Sequence, residues 1–199
     1  MDYQREDNLI RAGFALNAWR LLKHYEELSQ GLRPTERYET TLTVCVLHSL
    51  LTNCYELYKY LGRKAPRVFG SLDTFTASLL EESEVEVTST FPEQHGAMAV
   101  VEHLRHALSH PRVNETDPPT TGYTTIPDGA GLIARLRFTD SPDLTSRGNV
   151  REGSVGDLRI FTLDLPVSRL TALAEEVALV LAQPIMNNSD SPDLVPLAL

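Results

Sequence analysis

MAVVEHLRHALSHPR, Met98 to Arg112, carries an arginine and three histidines along an apolar helical stripe that runs into a proline. Val101, Leu104 and Leu108 recur at three- and four-residue spacing and line one buried face. Arg105 and Ser109 each follow a stripe residue, which puts them at the boundary between that face and solvent. Pro111 disfavours α geometry in the residue before it, so the helix ends near Ser109 and His110 leaves it extended. On an uninterrupted helix Arg105 and His110 would point roughly 140° apart. A helix that stops lets His110 turn back toward the arginine.

Outward from this stretch, long apolar periodicities indicate a mainly α protein. Leu9, Ile10, Phe14, Leu16, Trp19, Leu22, Tyr25 and Leu28 approximate a stripe over about 3–30, closed by Gly31. A Gly31–Pro34 turn leads to a second helix over about 35–61 with a wide apolar face from Leu42 to Leu61, and the pair reads as antiparallel. Residues 71–80 form a short helix capped by Ser71 or Asp73. The acidic run Glu81, Glu82, Glu84 and Glu86 reads as an exposed loop, and the helix ending at Ser109 starts near Pro92.

Beyond Pro111 the pattern changes. Residues 114–131, rich in Pro, Thr, Gly and Asp, read as loop. Leu132–Phe138 and Leu158–Leu163 read as two strands of an antiparallel hairpin at about 131–164, joined by a long polar loop. Pro166 opens a last helix whose apolar face stops before Pro184. The expected architecture is one up-and-down helical bundle over 1–183 with a small hairpin before the last helix, then a tail over 184–199.

Composition narrows the function. With 42% hydrophobic residues in 199, the chain has enough apolar material for a single core. A net charge of −9 argues against a broad surface that grips many phosphates at once, and leaves room for a small basic pocket. The charged opening MDYQREDN and the lack of a long apolar run predict a cytoplasmic protein without a membrane segment. Cys45 and Cys54, nine residues apart in one apolar pattern, read as buried, inert thiols and make no disulfide framework. Arg63, Lys64 and Arg67 form a short basic cluster, read as a solvated loop.

Arg105-His106-Ala107-Leu108-Ser109-His110 resembles the arginine, four-to-six residues, histidine motif of the HEPN superfamily. LRHALSHPR, at the end of the third long helix with strands and a terminal helix behind it, looks like plasmid-borne and defence-associated members. The resemblance implies a helical bundle that cleaves RNA without a metal, leaving 2′,3′-cyclic phosphate and 5′-hydroxyl ends. It implies no cofactor, a homodimer that brings two motifs into one cleft, and for a toxin, an antitoxin or regulatory partner. Such chemistry needs a base for the ribose 2′-hydroxyl, an acid for the departing 5′-oxygen and positive charge at the phosphorus. On this reading His110 is the acid/base group and Arg105 holds the scissile phosphate. His106 stands where the commonest form of the motif has an amide or acid, and it joins the site or stacks on a base. Ser109, Glu56 and Asn53 are accessory candidates.

Two other classes stay open. One is a non-catalytic helical module in which Arg105 and His110 serve as donors at a helix C-terminus, binding a nucleotide or a partner protein. The other is a metal hydrolase built on His103, His106 and His110, whose three- and four-residue spacing suits ligands on one helical face; Pro111 and the lack of a nearby carboxylate count against it.

Overall fold

The computed structural model describes residues 3–30, 39–61, 68–91, 96–109, 121–141 and 159–186. Helix α1 spans Tyr3–Ser29, α2 Glu39–Leu61 and α3 Gly70–Glu81. Strand β1 (Glu86–Ser89) precedes α4 (Ala97–Ser109); β2 (Gly122–Pro127), β3 (Ile133–Asp140) and β4 (Phe161–Pro166) lead into α5 (Val167–Met186). The protein is mainly helical with one small antiparallel sheet.

Helix α5 is the hub because it is apolar on more than one side: Leu170, Leu173, Ala174, Val177, Val180 and Leu181 are all buried. It packs on α1 and α2 and touches α3, β3 and β4. Helix α4 lies between α2 and the sheet, against β3 and β2. Its Val101, Leu104 and Leu108 are buried, which is the stripe the sequence predicts, and Val100 and Ala107 are buried beside them.

On α1 only part of the expected stripe is buried. Ala12, Ala15, Ala18 and Leu22 face the core, while Ile10 is 69% and Leu28 67% exposed. Alanine side chains let helix axes approach closely, so a small-residue row makes the contact and several large residues are turned out.

The expected hairpin is a real antiparallel pair, β3 with β4, but it is the centre of a four-stranded sheet in the order β1-β4-β3-β2. Strand β1 occupies the end of the acidic run read as loop, with Glu86 opposite Asp164. Strand β2 occupies the stretch read as punctuation, with Tyr123 opposite Phe138. Period-two alternation along β3 sends Leu136, Phe138 and Asp140 to the core face, and Arg135 and Arg137 to the other. There Arg135 Nε and Arg137 Nη2 bind the buried Asp164 carboxylate at 2.7 and 2.9 Å.

Three helix ends differ from expectation. Helix α5 continues past Pro184 to Met186; proline disfavours helix locally, and the apolar packing of the preceding turns outweighs that bias. Helix α3 has Phe69 at its N-cap and no side-chain cap, so neither Ser71 nor Asp73 fills that role. Asp73 instead accepts from the Ala97 N–H at 3.2 Å and caps the start of α4. Helix α4 starts at Ala97, after the non-helical Gly96, later than the start expected near Pro92. The candidate start at Thr35, the Arg63–Arg67 cluster and the tail beyond Met186 lie outside the described residues. None of the described helices is long and apolar enough to cross a membrane.

Candidate functional site

The chemistry gathers at the C-terminal end of α4, where α2 and the end of β3 meet it. Arg105 is half-buried on the last full turn. Its guanidinium lies over the Tyr55 ring of α2, with the central carbon 4.3 Å from the ring centroid. Nη2 donates to His106 Nε2 at 2.9 Å. Nε is buried and, among the described residues, has no hydrogen-bond partner. Tyr55 in turn donates to Glu102 at 2.6 Å. Burial first, then the hydrogen bond and charge of Glu102, pushes the Tyr55 phenol up to about 12.

Behind His106 stands Asp140, the last residue of β3 and only 3% exposed. Its Oδ2 receives His103 Nδ1 at 2.8 Å and His106 Nδ1 at 3.3 Å, and the Thr121 hydroxyl reaches Oδ1 at 3.4 Å. Burial works to raise the Asp140 carboxyl, but the hydrogen bonds from His103 and His106, with their charge, carry it below its ordinary value. Asp140 is therefore a carboxylate at neutral pH. The two histidines are not equivalent. His103 is buried, stacked on Phe161 at 4.3 Å and tilted against Phe91 at 4.5 Å. The His106 side chain is 37% exposed and faces outward.

On the other flank, Ser109 Oγ donates to the Arg105 carbonyl at 2.8 Å, which uses its only proton. In the 3.0 Å contact between Ser109 Oγ and His48 Nε2, His48 is therefore the donor. Burial, followed by the charge of Arg105, lowers the His48 pKa, so the ring is neutral at pH 7.

Of the residues singled out in the sequence, Arg105, His106 and Ser109 come together here. His110 lies outside the described residues. Asn53 spends an amide N–H on the Ser49 carbonyl of its own helix at 2.9 Å. Glu56 is exposed beside Tyr55, and Lys59 lies over the Tyr55 ring at 4.2 Å. The chain matches no family model, no curated protein and no solved structure.

For the metal reading, the His103 and His106 Nδ1 atoms are turned to Asp140, and the His103 ring is held between phenylalanines. Among the described residues, no three His, Cys, Asp or Glu side chains are grouped to hold a metal ion. Cys54 is buried, as expected, and burial pushes its thiol up to about 12. Cys45 is exposed, against expectation, because it points away from the α2 stripe.

Asp140 and His48 are the site members that the sequence did not single out. Asp140 had a signal: it shares parity with Leu136 and Phe138, so the β3 pattern puts an acid on the core face, where a charge needs a partner. His48 has no comparable local mark, since its partner is 61 residues away.

Proposed function

We propose that this chain is a metal-independent RNA endonuclease of the HEPN kind, in a toxin, phage-defence or stress role. The observation that carries the reading is Arg105: a guanidinium at a helix end, stacked on Tyr55, with one N–H unpartnered among the described residues and an imidazole beside it. Such a fork matches two oxygens of a phosphodiester, and a half-buried setting strengthens the attraction. Arg105 binds the scissile phosphate and the charge that grows on it. His110, five residues on, is the acid/base group of the motif, and His106 is the second imidazole of the same helix end. The net charge of −9 fits a small site that takes one phosphate, not a long basic track.

The experiment is cleavage of mixed RNA by the wild type, Arg105→Ala and His110→Ala, each with and without EDTA. Cleavage in EDTA that both substitutions abolish supports the proposal. Loss of wild-type activity on chelation points to a metal. Co-incubating the two inactive variants tests a shared dimer cleft, which would restore activity in mixed dimers.

A second reading, a non-catalytic interaction module, has one observation in its favour: Ile10, Phe14, Leu21 and Leu28 form an exposed apolar row along α1. The row suits a protein partner or a second copy. RNA left intact by the folded wild type would favour this reading.

A further inference from the structure

The proton arrangement around His106 follows from which of its neighbours can only donate. A guanidinium has no acceptor, so in the 2.9 Å contact with Arg105 the His106 Nε2 must present its lone pair. The proton of a neutral His106 is then on Nδ1, where Asp140 Oδ2 accepts it at 3.3 Å. The same carboxylate oxygen is held at 2.8 Å by His103, whose ring is fixed by Phe161 and Phe91. One histidine is thus buried and holds the carboxylate; the other is outward-facing and is held by it.

We propose that Asp140, delivered from β3, is a positioning residue that locks His106 in the Nδ1–H form with Nε2 aimed at Arg105, so that a phosphodiester drawing Arg105 aside uncovers a base already in place. The proposal rests on the RNA-cleaving reading and adds to it a carboxylate from the sheet and a resting-state cap on the base. Stability alone does not require the pairing, since a partly exposed imidazole at a helix end can be satisfied by water. A buried carboxylate does need partners, yet His103 and Thr121 already supply them.

The proton of the ribose 2′-hydroxyl passes to His106 Nε2, the 2′-oxygen bonds to phosphorus, the bond from phosphorus to the 5′-oxygen breaks, and that oxygen takes a proton from a second acid, His110 on this reading. The imidazolium that forms lies between the Asp140 carboxylate and the phosphate, which offset its charge. Among the described residues, the charged and titratable groups around the ring are Asp140 from β3, Arg105 and His103 from α4, and, beyond Arg105, Glu102 from α4 with Tyr55 and His48 from α2.

The test starts on the wild-type protein without substrate. Two-dimensional ¹⁵N–¹H spectra of histidine-labelled protein near neutral pH should show His106 protonated on Nδ1, and titration with inorganic phosphate should move its Nε2 resonance while Nδ1 stays bonded. An Nε2–H form, or an Nε2 signal that saturating phosphate leaves unmoved, overturns the proposal. In cleavage assays Asp140→Asn should lower kcat by on the order of 10² to 10⁴, as when the carboxylate behind a catalytic histidine is neutralised, with KM little changed. In the same spectra a folded Asp140→Asn should lose the Nδ1–H preference of His106, a readout that a purely structural carboxylate would not move. An unchanged His106 tautomer in that variant would overturn the proposal, as would full activity in a folded Asp140→Asn. RNA left intact by the wild type would instead sink the endonuclease reading, while the tautomer is still read from the spectra.

Discussion

Replacing Arg105 by alanine separates a residue that serves chemistry from one that serves the fold. Three contributions to stability change. The stack on Tyr55 at 4.3 Å is lost, about 0.5–1 kcal/mol at a half-exposed site. The donation to His106 at 2.9 Å is lost, about 1 kcal/mol net, because the partly exposed imidazole then turns to water. Against these, the variant no longer carries a buried Nε without a partner among the described residues, which costs about 1–3 kcal/mol in the native protein. The sum lies within about 1–2 kcal/mol of zero, a shift in Tm of only a few degrees for a domain of this size. Removing a donor fork from the developing charge of a transition state costs about 10²–10³ in kcat. Arg105→Ala should therefore unfold in urea or on heating almost like the wild type and cleave RNA at least a hundredfold more slowly. Arg105→Lys, which keeps the charge without the fork, should recover little of that loss. A loss of more than about 4 kcal/mol in Arg105→Ala would refute the reasoning, since only a structural keystone behaves that way.

Two other outcomes follow from the same geometry. In the native protein a thiol reagent should label the exposed Cys45 and spare the buried Cys54, whose thiol burial pushes up to about 12; both should react in denaturant, and two fast-reacting thiols in the native state would contradict the packing of α2. Acid should weaken the fold in two stages: His48 takes its proton less readily when folded, so its contribution is lost as pH falls below its ordinary 6.5, and Asp140, held below its ordinary 3.8, withdraws its contribution as pH falls further through its folded value. Urea midpoints at pH 7.5, 5.5 and 3.5 follow both stages, and His48→Gln should remove the first; a wild-type midpoint unchanged between the upper two would refute it.

The end of α4 was open to reading because an apolar stripe acts locally: the spacing of Val101, Leu104 and Leu108 already puts Arg105 at the edge of the buried face. Strands β3 and β4 were readable for a similar reason, as central strands with apolar runs. Strands β1 and β2 lie at the two edges, and Glu86, Thr88, Thr124 and Thr125 give them a polar surface that resembles loop. On α1 the eye follows Ile10, Phe14 and Leu28, whereas burial follows Ala12, Ala15 and Ala18, which are weakly hydrophobic but let α5 approach. The largest omission in the site was Asp140. Its role exists only once β3 is laid against α4, a contact that neither segment announces alone.

The 2′-hydroxyl chemistry is tested most directly by an RNA strand carrying a single 2′-deoxy substitution at a mapped cleavage position, incubated with the wild-type protein in EDTA. If Arg105 and the neighbouring imidazoles direct a 2′-hydroxyl onto its own phosphate, cutting stops at that position, continues elsewhere, and leaves 2′,3′-cyclic phosphate ends. Cutting at the deoxy position at the ordinary rate would contradict it.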